Sequence, residues 1–389
     1  MSATGRPERE YRSAQHEGNP VSDWVPASDG TRPAAADVVA AVVRPEIRAL
    51  TAYAVAKAEG QIKLDANESP YPLAEALRAK VAAAVAAVPF NRYPDGGADA
   101  VIAALRAAAG VPATLGMLLG NGSDELIEII TCALARPGAA MLVPEPTFVM
   151  YRMNALYAGM RYVGVPLAAN FELDVDAMLA AIARERPALV FLASPNNPTG
   201  NRFRTADVLR ILRAAPGLVV VDEAYTAYAG ESLLARVAEF PNLLVLRTVS
   251  KIGMAALRLG YAVAAPEWIA QLNKVRQPYN LNALTQAAAQ VLLAERAVVD
   301  GQVAAIVAER GRLAAALARI PGVEVFPAHA NFVLVRLPDA PAWFARLAAA
   351  GILVKNLHGA HPLLAQCLRI TIGTPAENDA LLSALETIA

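Results

Sequence analysis

The chain has 389 residues, 56% hydrophobic and 18% charged, so it is long enough for two domains with large cores and is not a disordered protein. Its 35 basic and 35 acidic residues cancel, which gives no support to a nucleic-acid or anionic-membrane partner. Cys132 and Cys367 are the only cysteines, which argues against a disulfide framework or a cysteine metal cluster. Because no apolar run reaches roughly 18 residues and no signal-peptide core is present, we expect a soluble, cytoplasmic protein.

The chain divides by composition into a tail, an arm and two domains. Residues 1–37 are polar and rich in Gly, Pro, Ser and Arg, which predicts a mobile tail. Residues 38–61 are predicted to form an N-terminal arm with one short helix. A small domain is predicted from residues 62–89 and 285–389, and a large domain from residues 90–284.

Strands and helices alternate through the predicted large domain. This rhythm is typical of an α/β fold with a mostly parallel sheet and helices on both faces. The predicted strands are 117–119, 140–143, 161–165, 189–193, 218–221, 243–247 and 259–264, and the predicted helices are 124–135, 148–158, 174–184, 205–214 and 232–239. Long helices at 266–318 precede a smaller α+β lobe, with strands near 323–326, 332–336, 353–355 and 367–372 and helices near 342–350 and 377–388.

Ligands of such sheets bind beyond the carboxyl ends of the strands, and polar motifs follow several predicted strands here. Residues 120–125 read Gly-Asn-Gly-Ser-Asp-Glu and open a helix, whose N–H groups and dipole suit a phosphate. An ordinary glycine-rich turn with Ser123 as helix cap is the alternative. Phe148 follows the next strand, where it is placed either to stack on a planar ring or to pack in the core.

Two further strand ends carry an amide and a carboxylate. Residues 194–200 read Ser-Pro-Asn-Asn-Pro-Thr-Gly, a pattern of a tight loop in which Asn197 is also placed to donate to a ligand oxygen. Asp222 ends the most apolar predicted strand and is followed by Glu-Ala-Tyr225. A carboxylate at the end of a buried strand requires a cationic partner, unless it caps the next segment.

Lys251 follows the predicted strand 243–247, in the sequence Thr-Val-Ser-Lys at 248–251. A buried ammonium is costly, and imine formation removes that cost; the alternative is a lysine whose head reaches water. A phosphate cradle, an aromatic ring, an amide, a carboxylate, a phenol and a lysine then share one sheet edge. Pyridoxal 5'-phosphate uses that whole set, since lysine binds its aldehyde and a carboxylate holds its ring nitrogen protonated.

These motifs, with Lys-Leu-Asp-Ala-Asn-Glu-Ser-Pro at 63–70, Arg-Tyr-Pro at 92–94 and Cys-Leu-Arg-Ile-Thr at 367–371, form an ordered set. Over residues 44–389 the chain resembles the fold-type I aminotransferases, and within them the histidinol-phosphate aminotransferases. The resemblance implies an amino transfer between L-histidinol phosphate and 2-oxoglutarate, in histidine biosynthesis, by a homodimer.

The resemblance also implies roles for individual residues. Lys251 looks like the cofactor-binding lysine and proton shuttle, and Asp222 like the partner of the ring nitrogen. Tyr93 resembles a residue that reaches the neighbouring subunit's cofactor phosphate. Lys355 stands where relatives carry arginine, which keeps the charge but loses the bidentate fork. The remaining implied roles are the ring oxygen for Asn197 and Tyr225, the ring face for Phe148, the phosphate for Gly122, Ser123, Asp124, Ser250 and Arg258, and the substrate for Tyr53, Asn197, Lys355 and Arg369.

Three other functions stay open at this point. They are an aromatic or broad-specificity aminotransferase, a phosphothreonine decarboxylase of the same fold, and a non-catalytic effector-binding module. His358 and His361 have a spacing that suits a metal, but no third ligand is near in sequence, so we predict exposed loop histidines and no metal.

Overall fold

The computed structural model describes residues 34–52 and 59–386. The first range belongs to one compact unit and the second range to another. The first unit contains helices α1 (Ala35–Val42) and α2 (Pro45–Arg48). Two helices form where one was predicted, and the first begins inside the predicted tail. They are separate because a residue before proline, here Arg44, disfavours helical geometry, whereas Pro45 suits a first helical position.

The second unit contains the short strand β1 (Ile62–Leu64) and a seven-stranded sheet. The order of its strands is β2-β8-β7-β6-β5-β3-β4. β8 runs antiparallel to both of its neighbours and the other strands are parallel, so the predicted mostly parallel sheet is confirmed. The strands are β2 (Gly116–Asn121), β3 (Ala140–Glu145), β4 (Arg161–Pro166), β5 (Leu189–Ala193), β6 (Leu218–Asp222), β7 (Leu243–Thr248) and β8 (Leu259–Ala264).

Apolar layers cover both faces of this sheet. In β6, Val219 and Val221 enter one layer while Leu218 and Val220 enter the other, as the two-residue period of a strand requires. The alternation explains why the central strands are apolar throughout, and it leaves polar groups only at their ends. The surrounding helices are α3 (Glu75–Ala86), α4 (Asp99–Ala109), α5 (Ser123–Leu134), α6 (Val149–Tyr157), α7 (Val175–Glu185), α8 (Thr205–Ala214), α9 (Pro266–Leu272) and α10 (Ala283–Ala294).

One predicted α-helix in this region is wrong. Residues Leu234–Glu239 form a 3₁₀ helix. The segment enters from Ser232 and Leu233, which are both hydrogen-bonded to the buried carboxylate of Glu223. At six residues the segment is longer than most 3₁₀ helices, and the two bonds to Glu223 fix its entry.

A second, smaller sheet has five strands in the order β1-β11-β12-β10-β9. β1 pairs in parallel with β11, Ile62 lying opposite Ile352, so the start of the second unit joins its end. Helix α11 (Arg296–Leu317) adds Ile306, Leu313 and Leu317 to the core of this sheet. The remaining elements are β9 (Glu324–Val325), β10 (Phe332–Arg336), α12 (Ala340–Ala349), β11 (Ile352–Asn356), β12 (Cys367–Thr371) and α13 (Pro375–Glu386).

The predicted domain boundaries at residues 89/90 and 284/285 stay a prediction. Leu77 of α3, and Ala289 and Leu292 of α10, pack in an apolar layer of the larger sheet. Within residues 34–52 and 59–386, no helix is long and apolar enough to cross a membrane.

Candidate active site

Asp222 is a buried carboxylate at the carboxyl end of β6, beside Ala193 at the end of β5. It accepts hydrogen bonds from the hydroxyl of Tyr151 at 2.7 Å and from the N–H of Ala224 at 3.1 Å. Burial raises the pKa of Asp222 to about 6, although both hydrogen bonds act to lower it. A carboxylate in this position gains most from a cationic ligand.

Tyr151 is a site residue that the sequence analysis missed. It lies on α6, fully buried, and its ring stacks on Phe191 with centroids 4.5 Å apart. Phe148 contacts it edge-on at 5.7 Å, just before the helix begins. The spacing could have predicted its place in the site, because a tyrosine three residues after Phe148 lies one helical turn further along the same face.

We expect the substitution Tyr151→Phe to reduce the free energy of unfolding by about 1–3 kcal/mol, because it leaves one oxygen of buried Asp222 without its donor. Urea denaturation measures this. Tyr157→Phe on the same helix, where the residue is 46% exposed, is the matched control and should change stability by less than about 0.5 kcal/mol. An equal effect of the two substitutions would contradict the role of the Tyr151 hydroxyl.

Lys251 lies in a 3₁₀ turn, Ser250–Ile252, directly after β7. Its Nζ is 5.9 Å from the ring centroid of Tyr225, and its carbonyl accepts a hydrogen bond from Tyr228. The turn is also held by Thr248, whose Oγ1 accepts from the N–H of Ser250 at 3.1 Å. The backbone that carries the lysine is therefore fixed on both sides of it.

Arg369 lies on β12 of the smaller sheet and reaches the loop after β5. Its Nη1 donates to Oδ1 of Asn197 and its Nη2 to the carbonyl of Asp65, both at 2.6 Å. Because a guanidinium can only donate, it fixes the oxygen of Asn197 and turns the NH₂ group elsewhere. The amide is thereby presented as a donor.

Asn67 lies in the motif at 63–70 and had no predicted site role, but its amide donates to the hydroxyl of Tyr225 at 2.9 Å. Asn67 has a φ of 56°, a left-handed conformation that asparagine tolerates better than most residues. Its side chain is 2% exposed. Residues 65–67 therefore contact both Tyr225 and Arg369, which are 144 positions apart in the chain.

The start of α5 forms a cradle for an anion. Gly122 precedes the helix with a φ of 84° and no side-chain cap, so the first N–H groups lack intrahelical partners. A Cβ on Gly122 would lie 2.6 Å from Nη2 of Arg258, and one on Gly260 would lie 2.6 Å from the nitrogen of Ser123. Both positions therefore require glycine, and the backbone and Arg258 define a space that fits a phosphate.

Arg258 also donates to Asp124 at 3.1 Å, and each side chain is about half exposed, at 47% and 48%. Arg258 itself is in the left-handed region, with a φ of 47°. The predicted phosphate shell thus contains an acidic side chain that pairs with its arginine. Only the backbone of Asp124 suits an anion.

Tyr93 and Lys355 do not lie at the strand ends of the larger sheet. Tyr93 is 81% exposed and stacks on Tyr279, with ring centroids 4.8 Å apart. Lys355 is opposite Arg369 in the register of β11 and β12, so the two side chains share one face of the sheet. Tyr53 lies outside the residues that the structure describes.

His358 and His361 make hydrogen bonds within their own loop. The Nδ1 of His358 accepts from the N–H of Gln366 at 3.1 Å, and that of His361 accepts from Leu363 at 3.2 Å. In the described part of the chain, no cluster of three His, Cys, Asp or Glu side chains suits a metal ion.

Comparison with known proteins assigns the family. The family model "Aminotransferase class I and II" matches residues 59–385, which is most of the chain. The chain belongs to this aminotransferase family. The family and fold predicted from the sequence are therefore confirmed, and with them the cofactor, pyridoxal 5'-phosphate, on which these aminotransferases depend.

Individual proteins match this chain over most of its length. The histidinol-phosphate aminotransferase of Chromobacterium violaceum is 58% identical over 345 residues, 89% of this chain and 97% of the relative. The structure of histidinol-phosphate aminotransferase from Sinorhizobium meliloti, in complex with pyridoxal-5'-phosphate, has a TM-score of 0.79 at 26% identity, covering 89% of this chain and 98% of that one. L-threonine-O-3-phosphate decarboxylase from Porphyromonas gingivalis has a TM-score of 0.73 at 24% identity over 84% and 99% of the two chains, which shows the fold alone.

Proposed function

We propose that this aminotransferase moves the amino group of L-histidinol phosphate to 2-oxoglutarate and acts in histidine biosynthesis. The observation that carries the proposal is the 58% identity, over almost the whole chain, to a histidinol-phosphate aminotransferase. The decarboxylase neighbour, at 24% identity, shares the fold, and that likeness does not support its reaction in this chain. A cytoplasmic location accords with a biosynthetic enzyme of this kind.

Cofactor binding is proposed for the strand-end residues. The N–H groups after Gly122, at Ser123 and Asp124, would hold the phosphate together with Ser250 and Arg258. Asp222 would accept from the ring nitrogen, Asn197 and Tyr225 would donate to the ring oxygen, and Phe148 would contact the ring. The buried, high-pKa carboxylate and the glycine cradle are the observations that favour this fit.

The bound cofactor supplies an aldehyde that takes up amino groups and a ring that stores an electron pair. Lys251 would hold the cofactor through Nζ, and once the substrate amine has taken its place the freed Nζ would be available to accept the proton of the substrate carbon that bears nitrogen. Asp222 would hold a proton on the ring nitrogen. Tyr225 and Asn197 would hold the ring oxygen.

The substrate phosphate and carboxylate are proposed to bind at one cationic face. Arg369 and Lys355 are opposite each other in adjacent strands, and Arg369 already contacts Asn197 of the cofactor site. A phosphate in one half-reaction and a carboxylate in the other meet the same pair of charges. A substrate-binding role for Tyr53 stays a prediction from the sequence.

The decisive test mixes the enzyme, loaded with pyridoxal phosphate, with L-histidinol phosphate alone. Conversion of the visible aldehyde absorption to that of the amine form supports the proposal, and 2-oxoglutarate should reverse it. L-Phenylalanine and L-aspartate are the comparison donors. A faster reaction with phenylalanine, or release of carbon dioxide from phosphothreonine, would overturn the assigned substrate.

We expect Lys355→Ala to raise the KM for histidinol phosphate by about tenfold, the effect of one partly exposed charge worth about 1.4 kcal/mol. Lys355→Arg keeps the charge and should leave KM within about threefold. Steady-state kinetics with both substrates measures this. An unchanged KM in the alanine variant would exclude Lys355 from the substrate site.

A homodimer is the proposed assembly, with Tyr93 of the partner subunit completing the phosphate shell. In support, large apolar side chains are exposed around a depression of 360 Å³, whose lining residues come from the segments 88–94 and 278–284. Among them, Phe90 is 76% exposed, Tyr279 47% and Leu284 39%. A concentration of exposed rings and apolar chains is typical of a protein interface.

Mixing a Tyr93→Ala variant with a Lys251→Ala variant should restore activity, because half of the reassorted dimers contain one intact site. We expect about one quarter of the wild-type activity after dissociation and reassociation in mild denaturant. Activity no greater than the sum of the two separate variants would show that Tyr93 does not serve the partner's site.

A further inference from the structure

The side chain of Asn67 is held in one orientation by Thr371. The Oγ1 of Thr371 accepts from the backbone N–H of Asn67 at 3.0 Å and donates to its Oδ1 at 3.2 Å. Both residues are 2% exposed, so solvent offers little competition. The backbone is held too, because Asn331 donates to the carbonyl of Asn67 at 2.9 Å.

This orientation decides what the hydroxyl of Tyr225 does. With Oδ1 facing Thr371, the group that faces Tyr225 at 2.9 Å is the NH₂ of Asn67, which can only donate. The hydroxyl oxygen of Tyr225 therefore accepts that bond, and its single hydrogen remains for another acceptor. The ring itself cannot turn freely, since it is 5% exposed and packed edge-on against Phe332 at 5.2 Å.

We propose that Asn67 is a positioning residue, which fixes Tyr225 as a hydrogen-bond donor toward the cofactor's ring oxygen. The inference rests on the proposed function of Tyr225 at that oxygen. An aspartate at position 67 would have nearly the same shape but would offer an oxygen where the NH₂ group lies. Tyr225 would then donate to the carboxylate, a stronger acceptor, and be withdrawn from the ring oxygen.

The readout is the pH midpoint of the visible absorption change of the loaded enzyme, which reports the protonation of the nitrogen joined to Lys251. A hydrogen bond donated to the ring oxygen reduces the negative charge with which that oxygen stabilises the proton on the nitrogen joined to Lys251. Loss of the donor therefore keeps this nitrogen protonated to higher pH. We expect Asn67→Asp to raise the midpoint by about one pH unit. Asn67→Gly tolerates the left-handed φ and removes the NH₂ group without offering Tyr225 a new acceptor. Because Tyr225 keeps its hydrogen but loses the group that orients it, the midpoint should rise by less than in Asn67→Asp, by about 0.3 pH unit.

A double-mutant cycle separates the hydroxyl from the added charge. In a Tyr225→Phe background, Asn67→Asp should no longer move the midpoint. Equal shifts in both backgrounds, or no shift in the single variant, would overturn the proposal. Melting temperatures and the cofactor dissociation constant verify that each variant is folded and loaded.

Different outcomes would refute the cofactor assignment and the role of Asn67. A wild-type protein without a visible band, and without borohydride trapping of the cofactor on Lys251, would refute the proposed function. A normal band that Asn67→Asp leaves unmoved would refute only the role of Asn67.

Discussion

Replacing Lys251 with arginine should lower the rate of the histidinol-phosphate half-reaction by at least about 10⁴-fold, because both its covalent and its proton-transfer roles would be lost. The guanidinium keeps the positive charge but stays protonated at accessible pH, so it is neither a nucleophile nor a base. Stopped-flow absorbance in a single turnover measures the loss. Borohydride followed by peptide mapping should label Lys251 in the wild type and no residue in the variant.

The matched control is Lys274→Arg, which makes the same change at an exposed position on the surface. It should leave the rate within about twofold. Retention of more than a tenth of the rate in the Lys251→Arg variant would refute the assignment, provided that its melting temperature matches that of the wild type.

Replacing Asp222 with asparagine should lower kcat by about 10²–10³-fold, the usual effect of removing one preorganised electrostatic partner. The amide fills the same space between Tyr151 and Ala224 but carries no charge to hold the ring nitrogen protonated. Steady-state kinetics at saturating cofactor measures this change. Asp176→Asn, at a side chain that is 84% exposed, is the control and should have no effect.

Asp222→Asn should also change how the stability of the cofactor-free protein depends on pH. Since burial raises the pKa of Asp222 from 3.8 to about 6, the folded state holds its proton more tightly than the unfolded chain does. Stability from this group is therefore greatest below about pH 4 and falls as the pH rises to about 6, by about 3 kcal/mol. Asp222→Asn removes that fall. In urea denaturation, the free energy of unfolding of the variant should therefore increase relative to that of the wild type between pH 4 and pH 7. A pH-independent difference would contradict the raised pKa.

The sequence by itself determined the fold class, the family and the motifs that follow the strands. The reason is local: apolar runs of strand length end at polar residues, and parallel strands bring their carboxyl ends to one edge. Asp222, Asn197 and Lys251 could be named for that reason. The 3₁₀ segment at 234–239 was mistaken for an α-helix because its conformation depends on the distant carboxylate of Glu223.

Only the tertiary structure identified Asn67 and Tyr151 and set Lys355 beside Arg369. Asn67 and Thr371 are 304 residues apart, and Tyr151 and Asp222 are 71 apart, so no local pattern links them. Lys355 and Arg369 meet through the register of two strands, which depends on the pairing of the whole sheet. The sequence thus names the groups that carry the chemistry, while long-range packing decides which atoms of those groups face one another.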